Sequence, residues 1–114
     1  MDNQKFNLIL DKLLERTEEE KLDWKTTSDR DTFLVALKDS SISINYSFSE
    51  DRGKGFYTFD FRNETGDIAE SVSMYEFSDN KTELEKAKKL YNLVRQQSLR
   101  IDQTVDRILE QLAA

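Results

Sequence analysis

Apolar and polar positions along this chain switch from helical spacing to strict alternation and back again. Phe6, Ile9, Leu10, Leu13 and Leu14 recur at helical spacing, with Asp11, Lys12, Glu15 and Arg16 elsewhere on the circumference. This predicts an amphipathic helix near residues 3–18, with Asp2 or Asn3 as its N-cap and no proline or glycine to interrupt it. Leu8 points away from the stripe.

Alternation follows. Lys21 to Thr26 suits a short edge strand with Leu22 and Trp24 facing inward, and Ser28 to Asp31 reads as a turn. Phe33, Val35 and Leu37 share one face of the next strand, opposite Leu34 and Ala36, so this strand is a candidate for a central one. Ile42, Ile44, Tyr46 and Phe48 then alternate with Ser41, Ser43, Asn45 and Ser47, which predicts one buried and one wet face. After the loop Glu50 to Gly55 comes a strand with Tyr57, Phe59 and Phe61 inward. A reversal at Asn63 to Asp67, with Gly66 suited to a positive φ, leads into a fifth strand from Ile68 to Met74.

The last segment returns to helical spacing. Asp79, Asn80 and Thr82 are N-cap candidates, and Glu83 and Glu85 favour a helix N-terminus. Leu84, Ala87, Tyr91, Val94, Ser98, Ile101, Val105, Ile108 and Leu112 then recur at alternating intervals of three and four. A helix of some 30 residues would span about 45 Å, against about 20 Å for a strand of six residues. Its distal half therefore needs cover other than the sheet. The first helix lying antiparallel to it, a second copy of the chain, or a break near Ser98 to Asp102 would each meet that need. The register runs through residues 98–102 uninterrupted, which favours an unbroken helix over the break. The fold class expected is α+β: a four- to five-stranded antiparallel meander with both helices on one face, in a single domain over residues 1–114.

Composition narrows the chemistry. The chain has 114 residues, 37% hydrophobic and 35% charged, enough apolar surface for one folded core. Cysteine and histidine are both absent. That removes disulfides, thiolate and imidazole metal ligands, and every catalytic triad built on histidine or cysteine. Paired carboxylates, a Ser-Lys dyad or carboxylate-bound magnesium have no signature spacing here. The run Glu18-Glu19-Glu20 with Asp23 reads as solvated charge, and Asp51-Arg52-Gly53-Lys54-Gly55 lacks the strand-loop-helix context of a phosphate loop. No catalytic residue, cofactor, metal or small-molecule ligand is expected, and the protein reads as a non-enzyme.

The net charge of −6 repels phosphate backbones and anionic lipid, so neither nucleic acid nor membrane is an expected partner. The N-terminus lacks a secretory pattern and no apolar run approaches 18 residues, which points to a cytoplasmic protein. Tyr46, Phe48, Tyr57, Phe59 and Phe61 read as core rather than a base-stacking platform.

Leu13-Leu14-Glu15-Arg16-Thr17, Lys21 to Thr27 and Lys89-Leu90-Tyr91-Asn92-Leu93-Val94-Arg95-Gln96-Gln97 carry a resemblance. In these stretches the chain resembles small bacterial proteins built of a helix, a meander and a long C-terminal helix. The resemblance implies that architecture and no assigned activity, and Arg100 departs from it where relatives carry glycine. The function expected is a non-enzymatic protein-interaction module such as a regulator, inhibitor or immunity-like partner. The alternatives are a structural homodimer through the C-terminal helix, or a dimer resembling secretion chaperones, which are also small, acidic and α+β. Leu8, Leu93 and Leu99, which lie off the helical stripes, and Ile101 and Ile108 on the distal helix are the candidate contact residues.

Overall fold

The computed structural model describes residues 1–78 and 80–114. Its chain order is helix α1 (Asn3–Glu18), strands β1 (Lys25–Thr26), β2 (Thr32–Ala36), β3 (Ser41–Ser49), β4 (Lys54–Arg62) and β5 (Ile68–Tyr75), then helices α2 (Lys81–Ser98) and α3 (Ile101–Ala113). The strands form one open antiparallel sheet in sequence order. The α+β class and the meander are as the alternation implies. The edge strand expected from Lys21 contracts to two residues, with Leu22 and Trp24 packing from the connection that precedes it.

Register follows from the period-two pattern. Ile42 pairs with Phe61, Ile44 with Phe59 and Tyr46 with Tyr57, so the apolar sets of β3 and β4 share one face. Val35 and Phe33 extend that face across β2, and Val72 and Met74 across β5. Both α1 and α2 pack there. Phe6 meets Phe59 edge-on at 5.3 Å between ring centroids, and Tyr91 of α2 lies within 6.0 Å of the rings of Phe33, Tyr46 and Tyr57. Leu10, Ile44, Phe59, Leu90 and Val94 have no exposed surface at all. The outer face carries the polar Ser41, Ser43, Asn45, Thr58, Asp60 and Ser73 together with Leu34 and the stacked Phe56 and Tyr75 rings, and Arg62 Nη1 donates there to Ser43 Oγ at 3.0 Å. Phe48 has the parity of the buried face but lies near the end of β3 and is 61% exposed.

The two packed helices run parallel. Asn7 Nδ2 donates to Glu83 Oε1 near both N-termini, Lys86 pairs with Asp11, and Gln97 Nε2 donates to the Thr17 carbonyl near both C-termini. Asp2 caps α1, its carboxylate accepting from the Lys5 amide at 2.8 Å, which settles the choice between Asp2 and Asn3. Asn80 occupies the N-cap position of α2 without a side-chain bond to it, Thr82 lies inside the helix, and Asp79 is outside the described residues.

The unbroken C-terminal helix is corrected. Two helices stand in its place, separated at Leu99 and Arg100, and α1 covers the proximal half, not the distal one. The Leu99 amide donates to the Arg95 carbonyl and the Arg100 amide to that of Gln97, while Arg100 takes the left-handed conformation at φ 51. Its own carbonyl accepts from Thr104, so Arg100 ends one helix and begins the next. A non-glycine residue in this conformation costs about 1 kcal/mol. The break falls close to where α1 ends at Glu18, since Gln97 of α2 reaches the Thr17 carbonyl just before it.

Candidate interaction surface

α3 is the most amphipathic helix of the chain and has no buried residue. Ile101, Val105, Ile108, Leu109 and Leu112 fall on one face, since steps of three, four and seven residues return to the same side. Val105 and Ile108 are 48% exposed, Leu109 60% and Leu112 77%. Asp102 and Asp106 run along one border of this face, four residues apart. Thr104 and Gln111 form the other border, and Arg107 is the only cation of the helix.

A helix of 13 residues is marginal by itself in water, because nucleation is unfavourable and few hydrogen bonds follow it. Its apolar face is the means by which such a helix becomes stable, through burial against something else. Among the described residues its main contact is with α2, and Asp102 and Gln103 share a shallow notch with Glu18 and Glu20. The corner there is well defined: Thr17 is fully buried, its Oγ1 accepts from Trp24 Nε1 at 3.0 Å, and its carbonyl accepts from Gln97. Ser98 Oγ is buried at the same corner and has no hydrogen-bond partner among the described residues.

A second apolar feature lies on the side of α1. Leu13, Leu22 and Ile42 form the floor of an open groove of about 430 Å³, and Leu8 and Leu37, 63% and 42% exposed, form its walls. Lys12 and Arg16 stand along it, again four residues apart. Lys12 reaches Glu15 at 3.6 Å in a solvent-exposed pair, and Arg16 makes no ion pair among the described residues.

The candidate contact residues therefore divide. Leu8 belongs to the groove, whereas Leu99, Ile101 and Ile108 cluster at and beyond the break, and Leu93 is half-buried on α2 beside the notch that faces Asp102 and Gln103. Leu37 is expected to share the inward face of Phe33 and Val35 but is 42% exposed, and Leu109 is not singled out by sequence pattern. Leu37 has the parity of a core residue but leaves β2 before the sheet is covered, and Leu109 lies one position outside the three-four register.

Polar groups elsewhere are occupied structurally. Glu76 Oε1 accepts from the Gly55 amide at 2.8 Å and the Tyr46 hydroxyl at 3.1 Å. Burial, and then the nearby Glu76 charge, push the Tyr57 phenol up to about 12, and burial likewise raises Tyr46 and Tyr91. Phenols held there stay protonated near neutral pH and are poorly matched to proton transfer. In the acidic run, Glu18 pairs with Lys89, Glu19 with Lys21 and Asp23 with Lys25, and the Lys21 contact lowers the Glu19 carboxyl below its ordinary value. Among the described residues no group of three acidic side chains is arranged to hold a metal ion, and no helix is long and apolar enough to cross a membrane.

No protein-family model matches the chain, and no curated protein or solved structure matches it either. The geometry of the surface is therefore what bears on function.

Proposed function

We propose that this protein is a non-enzymatic interaction module that engages a protein partner through the apolar face of α3. The observation that supports this reading is a strongly amphipathic helix, attached to a well-packed body, with none of its residues buried. Amphipathic helices of this kind dock through anchors at intervals of three, four and seven residues, here Ile101, Val105, Ile108 and Leu112. The acidic border makes an anionic lipid surface a poor alternative, because interfacial helices carry lysine and arginine on the polar face and this one has only Arg107.

The test compares capture of partners by the intact protein and by an Ile108→Asp/Leu109→Asp variant, with circular dichroism as the folding control. Both side chains are largely exposed, so the body should keep its thermal midpoint. A specific protein retained by the native chain and lost with the variant supports the reading. Binding that persists unchanged in the variant, or a native chain that binds neither another protein nor itself, overturns it.

A further inference from the structure

We propose that the occupant of the α3 face is a second copy of this chain, with α3 of each protomer seated in the α1 groove of the other. The inference rests on the reading of α3 as a docking element and adds both the partner and the site that receives it.

Three features favour this pairing. The first is charge. Lys12 and Arg16 stand four residues apart along the groove, and Asp102 and Asp106 stand four residues apart along the border of α3. Four residues rise about 6 Å on any α-helix, so the two pairs match in spacing as well as sign. Pairing α3 with α3 would instead bring two net acidic helices together, since each carries Asp102, Asp106 and Glu110 against Arg107.

The second is size. α3 at 13 residues is about 20 Å long and α1 at 16 residues about 24 Å, so the helix fits within the length of the wall it would lie against. The third is area. A single exposed α3 face amounts to on the order of 500 Å², at the upper end of the apolar patches monomers carry. In a reciprocal exchange each protomer commits one face and one groove, so the area buried rises above that of the α3 face alone toward the roughly 800 Å² each partner gives to a standard stable interface. That arrangement is closed by a two-fold axis and also covers Leu8 and Leu37.

Sedimentation of purified chains tests this with two charge-reversed variants, Lys12→Glu/Arg16→Glu and Asp102→Lys/Asp106→Lys. All four positions are exposed, so the body should fold. The native protein should dimerise, and each variant alone should dimerise at least about tenfold more weakly. An equimolar mixture should restore a heterodimer, because the acidic groove then receives the basic helix and the basic groove the acidic one. Restoration on mixing also excludes simple misfolding. A native chain that stays monomeric at every concentration overturns the inference, as does a dimer insensitive to groove reversal or variants that mixing fails to rescue. In each of those outcomes the reading of α3 as a docking element is judged separately, by the capture experiment.

Discussion

Replacing Thr17 with valine tests the corner from which α3 departs. Thr17 is fully buried and Trp24 is 4% exposed, and the indole Nε1 donates to Thr17 Oγ1 at 3.0 Å. Valine keeps the shape of threonine but removes the acceptor, leaving a buried N–H without a partner at a cost of about 1–3 kcal/mol. The added methyl recovers a fraction of this through burial, at most about 0.8 kcal/mol. The Thr17 carbonyl still accepts from Gln97, so the junction of α1 with α2 should persist. A net loss of about 1–2 kcal/mol is expected, measured as a lower urea midpoint at constant m-value by circular dichroism. Trp24→Phe alone should cost more, since it removes buried ring atoms as well as the donor. In the double variant both halves of the polar pair are gone, so the losses should fall short of additivity by about 1 kcal/mol. A Thr17→Val protein within about 0.3 kcal/mol of the native chain, with additive losses in the double variant, would refute the reasoning. Trp24 is the only tryptophan, so its fluorescence in the native and Thr17→Val proteins reports on the same corner.

Gly55→Ala should destabilise the fold by about 1–3 kcal/mol, because a Cβ there overlaps the Tyr46 hydroxyl and the Glu76 carboxylate that bridge to it; an unchanged thermal midpoint would contradict that packing. Alkaline titration followed by tyrosinate absorbance should show Tyr57 ionising near 12, with Tyr46 and Tyr91 also late. The unfolded phenol ionises at about 10. The Tyr57 contribution is therefore whole below about 10 and is lost as pH rises toward 12, and Tyr57→Phe should flatten the slope of stability in that window. Equal ionisation of all four tyrosines near 10 in the folded protein would count against the buried cluster.

What the sequence determined by itself was periodic and local. Ile42, Ile44, Tyr46 and Phe48 alternating with serine and asparagine dictate a strand with one apolar face, and Phe6, Leu10 and Leu13 dictate a helix with one apolar stripe. Those rules need no knowledge of neighbours, and the α+β meander follows from them. Leu8, Leu99, Ile101 and Ile108 were legible as apolar positions with no evident cover, but not the company they keep. Only the tertiary structure decided that α1 runs parallel to α2, that the C-terminal helix breaks at Arg100, and that Leu8 meets Leu37 in a groove edged by Lys12 and Arg16. Heptad spacing continues through Arg100 although the backbone does not, because spacing records which face is apolar and carries nothing about where the covering surface ends. Phe48 and Leu37 make the same point at strand ends, where parity assigns them to the core and both are left exposed. The C-terminal excess of helix is thus a separate, uncovered α3. Its exposure depends on the lengths and directions of elements distant in sequence, which periodicity does not encode.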